Sequence, residues 1–158
     1  MSLADYLQAE RVLLDVPANS RREALEELGA LLGGQDQTAR EAVAESLRAR
    51  EQMGSTGVGG GIAFPHARPE FVPSLRLAFL RTAAPVPFEA LDGRPVDLFM
   101  AVAGPAQGRR EYLAVLGALS YLFRADHVRD RFRAASTPAE VLDLFRELAA
   151  EAPAEPSE

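Results

Sequence analysis

Apolar residues recur at helical spacing after Ser20, where Ala24, Leu25, Leu28, Leu31 and Leu32 share one face and the run ends at Gly33 and Gly34. A serine at the start and glycines at the end are the residues a helix uses to cap itself, so this stretch is predicted as a capped amphipathic helix. A second helix is predicted to open at Thr38, with Glu41 completing a capping box. It should turn Val43 and Leu47 inward and run to about Arg50 or Gln52 before Gly54 stops it. Gly54 to Gly61 is dense in glycine, and the short apolar run Ile62-Ala63-Phe64 is expected to end as a strand at Pro65, because proline cannot continue a ladder. His66 then stands just past a strand end.

The period changes again further on. Leu77 to Leu80 and Val96 to Ala103 are almost continuously apolar and are bounded by turn residues that include Asp92-Gly93, the pattern of strands covered on both faces. Beyond Gly108, a helical stripe is predicted from Tyr112, Leu113, Leu116, Leu119, Ser120 and Phe123. Asp126 is expected to cap a short helix carrying Val128 and Phe132. Thr137 and Glu140 form a capping box for a last helix with Val141, Phe145 and Leu148 inside. Residues 150–158 are rich in Pro and Glu and are expected to fray.

A chain of 158 residues predicts one domain, here 1–149, of α/β class, since helices must cover the buried strands. Its 47% apolar and 25% charged residues fit a globular fold. With no cysteine, thiol nucleophiles, disulfides and thiolate metal sites are excluded. All 17 basic residues are arginine, which removes lysine Schiff bases and phosphate-loop lysines. A net charge of -6 argues against general nucleic-acid binding. The absence of an export signal or a long apolar window leads us to expect a cytoplasmic protein not inserted in a membrane.

The glycine stretch fits neither common phosphate motif. Both the P-loop and the dinucleotide fingerprint require strand, loop, helix in that order, whereas here a helix comes before and a strand after. Gly57, Gly59, Gly60 and Gly61 are then either a simple connection or backbone donors for an anion, with the Ser55 and Thr56 hydroxyls as further donors. A histidine beside such a loop, with an ordinary pKa of about 6.5, presents a neutral imidazole at pH 7 and can act as a nucleophile. Arg50 falls on the stripe of Val43 and Leu47, so it points toward the domain, where it can offset the helix C-terminus.

The string from Arg50-Glu51 through Ser55-Thr56-Gly57-Val58-Gly59 to Gly61-Ile62-Ala63-Phe64-Pro65-His66-Ala67 resembles the active-site signature of the fructose/mannitol class of phosphotransferase-system IIA domains. That signature reads Arg-Glu, Ser-Thr-Gly-Ile-Gly and Gly-Ile-Ala-Ile-Pro-His, so Val58 and Phe64 each replace an isoleucine. The resemblance runs from the Ser20 helix through Asp92-Gly93-Arg94-Pro95-Val96 to the helices at Glu111 and Thr137. It implies a mixed sheet covered on both faces by helices. His66 would accept a phosphoryl group from HPr or an HPr-like carrier and pass it to a IIB cysteine, with Arg50 and the glycine loop stabilising it and no metal or organic cofactor. It also implies an alternative, a nitrogen-regulatory IIA protein whose phosphorylation state controls partner proteins. Tyr112 is a departure from the family, which carries a second histidine in a His-Leu pair where this chain has Tyr112-Leu113. It is either a core aromatic or a hydroxyl donor in place of that imidazole. His127 is expected to be an exposed bystander.

Overall fold

Two long strands, β5 (Arg76–Val86) and β6 (Val96–Ala103), pair antiparallel and form the middle of the sheet. Their apolar runs are continuous because both faces are buried. Leu77, Phe79, Leu98, Met100 and Val102 point to one core, and Ala78, Leu80, Phe99, Ala101 and Ala103 point to the other. The computed structural model describes residues 2–69 and 72–149, so the expectation for 150–158 lies outside the described residues. Two 3-10 turns, Leu3–Tyr6 and Ala9–Arg11, lead into an edge strand β1 (Val12–Val16), which pairs parallel with β5 and which periodicity did not reveal.

Helices α1 (Arg21–Gly33) and α2 (Gln37–Gln52) cover the alanine-rich face. Small residues there let them lie close, and a Cβ on Gly29 would come within 2.5 Å of the Ala44 side chain. The opposite face is covered by α3 (Arg109–Leu122), α4 (Asp126–Ala134) and α5 (Pro138–Ala149). Phe123, Phe132 and Phe145 meet there with ring centroids 4.8 to 5.9 Å apart. The expected fold class therefore holds: a mixed six-stranded sheet with helices on both faces.

Of the expected helix caps, Ser20 and Thr137 hold and Thr38 and Asp126 do not. Ser20 caps α1 by accepting from Glu23 N–H at 3.1 Å, and Thr137 accepts from Glu140 N–H at 3.2 Å. Thr38 is not a cap. Asp36 takes that position, accepting from Thr38 N–H at 3.0 Å, while Glu41 receives the Gln37 amide instead. Asp126 lies inside α4, after an N-cap Ala125 without a side-chain bond, and pairs with Arg129. The stripe of α3 is also shifted in phase, since Tyr112, Val115, Leu119 and Leu122 are buried while Leu113 and Ser120 are exposed.

The strand at Ile62 does not end at Pro65. β3 (Ile62–Ala63) and β4 (His66–Ala67) pair parallel with β6 in one register, Ile62 opposite Leu98, Ala63 opposite Phe99, His66 opposite Val102 and Ala67 opposite Ala103. The Pro65 carbonyl still accepts from Val102 N–H at 2.9 Å. Proline removes only its own donor on that side, so the ladder has a gap and then resumes.

The glycine stretch is a hairpin. β2 (Gly57–Gly59) turns through Gly60 and Gly61 into β3, with φ of 105°, 70° and 81° at Gly59, Gly60 and Gly61. A Cβ on Gly60 would lie 2.6 Å from the Arg129 guanidinium carbon, and one on Gly61 would lie 2.5 Å from an Arg133 nitrogen. These arginines are anchored, Arg129 to the Phe123 carbonyl at 2.7 Å and Arg133 to Asp97 and to the Gly60 carbonyl at 2.8 Å. We therefore expect Gly60→Ala to destabilise the fold by about 2 to 4 kcal/mol, summing positive-φ strain and overpacking against a fixed guanidinium. Thermal unfolding of the variant measures this, and an unchanged melting temperature would contradict the packing role.

Candidate functional site

His66 lies on the same face as the large residues of β6, the face covered by α3, because it continues the alternation of Ile62 and Phe64. It is half-buried. Its Nδ1 lies 2.7 Å from the Phe64 carbonyl oxygen. A carbonyl can only accept, so in the neutral ring Nδ1 carries the proton and Nε2 keeps the lone pair. The Phe64 carbonyl is held in turn, since Phe64 N–H donates to the Thr56 carbonyl at 3.0 Å.

Tyr112 and Arg50 border the imidazole, and Arg68 backs Tyr112. Tyr112, in the first turn of α3, meets it edge-on with ring centroids 6.1 Å apart. The Arg68 guanidinium stands 5.4 Å above the Tyr112 ring and donates to the Pro105 and Ala106 carbonyls. Arg50, in the last turn of α2, donates to the Gly54 carbonyl at 2.8 Å, which uses one of its five N–H donors. Arg50 thus ties down the chain leaving α2 and sets a positive charge near the imidazole.

Burial holds the His66 pKa below the ordinary 6.5. The Phe64 carbonyl opposes this, Arg50 adds to it and Glu51 opposes it. The ring is neutral at pH 7. Burial also pushes the Tyr112 hydroxyl up to about 12, against the smaller opposing effects of Arg68 and Arg50, so it stays protonated and able to donate. Tyr112 is 7% exposed and packs in the core with Val115 and Leu119, and its ring also meets His66.

The glycine loop is not one site. Gly61 accepts from Asp97 and Leu98 N–H at the start of β6, whereas His66 sits opposite Val102. Four residues of strand separate these levels by about 13 Å, too far for Gly59, Gly60 and Gly61 to touch a group on His66. Their missing side chains make room for Arg129 and Arg133 instead. Gly57 packs against Ala90, and its N–H donates to Ser55 Oγ at 3.0 Å. Ser55 and Thr56 lie nearer, but their hydroxyls are engaged, Ser55 with the Phe88 carbonyl at 2.8 Å and Thr56 with Glu51 at 2.7 Å. The expectation of free hydroxyl donors is corrected accordingly.

Two site residues escaped the sequence reading. Glu51 continues the stripe of Val43 and Leu47, four residues after Leu47, and is buried. Arg68 follows His66 by two, which along an extended chain places it on the same face. His127 lies far along the chain on α4, lining a groove of about 220 Å³ with Tyr121 and Arg124. Among the described residues no cluster of potential ligands could hold a metal ion, and no helix is long and apolar enough to cross a membrane.

Comparison with known proteins places this geometry. Residues 5–148 match the family described as phosphoenolpyruvate-dependent sugar phosphotransferase system, EIIA 2. A nitrogen regulatory protein of Pseudomonas aeruginosa is 39% identical over 136 residues, covering 85% of this chain and 88% of the relative. A fructose-specific EIIA component of Haloferax volcanii is 32% identical over 142 residues, covering 88% and 91%. The crystal structure of the nitrogen regulatory protein IIA-Ntr from Neisseria meningitidis superposes with a TM-score of 0.85 at 35% identity, over 90% of this chain and 98% of that one. With a family match over nearly its whole length, this chain belongs to the phosphotransferase-system EIIA type 2 family.

Proposed function

We propose that the protein is a phosphoryl-accepting regulator of the nitrogen-regulatory IIA type, with His66 as the acceptor and its phosphorylation state deciding which partner it holds. The observation that carries the acceptor role is the 2.7 Å contact between His66 Nδ1 and the Phe64 carbonyl, which leaves the Nε2 lone pair for phosphorus. In the transfer, that lone pair forms an N–P bond while the P–N bond of a phosphohistidine carrier of HPr type breaks and its electron pair returns to the donor imidazole. Such transfers depend on positioning and on charge stabilisation, which Arg50 and the neutral Tyr112 hydroxyl would supply.

The regulatory reading has more support than sugar uptake, because the Pseudomonas and Neisseria relatives are both nitrogen regulatory proteins. The fructose-specific Haloferax relative supports the second reading, a sugar-uptake subunit that delivers the phosphoryl group to a IIB cysteine. Met53, Val58 and Leu113 are exposed apolar residues in the segments that bear Arg50, the hairpin and Tyr112, and exposed Leu91 lies beside the hairpin, donating its N–H to the Gly57 carbonyl. They would give a partner protein a surface to dock on in either role.

Incubation with phosphoenolpyruvate, enzyme I and an HPr-type carrier, followed by intact mass measurement, should show one acid-labile phosphoryl group. It should be lost in His66→Ala, and undiminished labelling of that variant would refute the assignment. Adding a IIB protein separates the two readings, since discharge of the label onto a IIB cysteine would favour uptake.

Because the His66 pKa is lowered, acceptance should stay level as pH falls from 8 toward 6.5 and decline with a midpoint below 6.5. The folded state binds fewer protons than the unfolded state between the lowered pKa and 6.5. The stability that His66 contributes is therefore complete above that window and is lost as pH falls through it. A midpoint above 6.5 in a rate profile or ring-proton titration would contradict the desolvated site.

Tyr112→Phe keeps the ring against His66 and under Arg68, so the melting temperature should hardly move. Acceptance should slow about ten-fold, the lower bound for losing a hydrogen bond to a charged group. A parental rate would remove the hydroxyl from the reaction.

A further inference from the structure

Glu51 is a carboxylate at the end of α2 with 3% of its surface exposed. Burying such a group is costly unless it is fully bonded. Both of its oxygens are spent on one residue, Oε2 accepting from Thr56 N–H at 2.8 Å and Oε1 from the Thr56 hydroxyl at 2.7 Å. The Thr56 carbonyl accepts from Phe64 N–H, and the Phe64 carbonyl accepts from His66 Nδ1–H. An unbroken line of contacts thus runs from a buried anion to the imidazole.

The charges around the ring give the anion a second use. Arg50 on α2 disfavours positive charge on His66 and Glu51 favours it. On the α3 side stand the neutral Tyr112 and Arg68, whose guanidinium is turned to the Pro105 and Ala106 carbonyls. When Nε2 bonds to phosphorus and Nδ1 keeps its proton, the ring itself becomes cationic. Among the protein charges that act on the ring, Arg50 alone would remain without Glu51, and it is repulsive, so the phosphoryl oxygens would face the cation without help from the protein.

We infer that Glu51 is a positioning residue for His66, which through Thr56 and Phe64 fixes the carbonyl that keeps the proton on Nδ1 and whose charge offsets the cationic ring formed on phosphorylation. The inference rests on the acceptor reading above for its second half only. Its first half concerns the resting protein.

The test uses the full chain labelled with ¹⁵N, as parent, Glu51→Gln and Thr56→Val, with His66→Ala to assign the two histidines. Ring-nitrogen shifts report the His66 tautomer and pKa before any phosphorylation, and carrier-driven labelling reports the rate. The parent should be in the Nδ1–H form. Glu51→Gln keeps the shape and an acceptor for Thr56 N–H but removes the charge, so the His66 pKa should fall further and acceptance should slow about ten-fold. Thr56→Val keeps the charge and loosens the line, so the tautomer should become mixed. A folded Glu51→Gln protein with the parental tautomer and pKa would overturn the inference, even if its rate changed. Should that variant not fold, Thr56→Val decides, and an unchanged tautomer there overturns it. If the parent takes no phosphoryl group, the acceptor reading fails while the ring-nitrogen measurements still judge Glu51.

Discussion

Everything in the site depends on the register between the strand Ile62–Ala67 and β6. The pairs His66 with Val102 and Ala67 with Ala103 fix the height of the imidazole on the sheet and the face it occupies, so Tyr112 of α3 can reach it. A slip by one residue would turn His66 to the alanine-rich face under α1 and α2. Pro65 interrupts the ladder without breaking this register, because only one donor is missing and its carbonyl still bonds to Val102. The imidazole is thereby held by backbone pairing on one side and by the Phe64 carbonyl through Nδ1, which leaves a single nitrogen free for chemistry.

Much of this was legible in the sequence, for identifiable reasons. The α1 and α5 caps are local, with donor and acceptor three residues apart, and β5 and β6 showed as apolar runs because both of their faces are buried. The failures share another cause. Thr38 lost the cap to Asp36 by two residues, a difference that propensity cannot decide. The glycine hairpin could not be assigned from sequence, because a missing side chain looks the same there whether it makes room for an anion or for a guanidinium. The partners, Arg129 and Arg133, lie some seventy residues downstream. The β1 strand ends at the positive-φ Asp15 and Val16 with a register irregularity, so its short pattern never established a period.

Tyr112 shows how one side chain can serve the core and border His66 at once. The aromatic ring fills the core position between Val115 and Gly104, and a Cβ on Gly104 would come within 3.0 Å of it. Burial keeps its hydroxyl protonated, and Arg68 caps the ring face. An imidazole there would bring a group that titrates near neutrality, whereas the phenol donates a hydrogen bond across the physiological range. A neighbour whose own charge does not change with pH leaves the electrostatics beside His66 steady across that range.

The strand order β1-β5-β6-β3-β2 has a consequence for how the chain assembles. β5 and β6 are joined by residues 87–95 alone, so the pairing of the two long strands closes a far shorter loop than that of β1 with β5, between which both α1 and α2 intervene. Loop-closure entropy therefore favours the β5–β6 hairpin as the early nucleus, on whose free edge the segment bearing His66 docks afterwards. The histidine is carried on a late arrival to a preformed template, and the template's hydrogen-bonding edge, not the histidine's own neighbourhood in sequence, selects where it comes to rest.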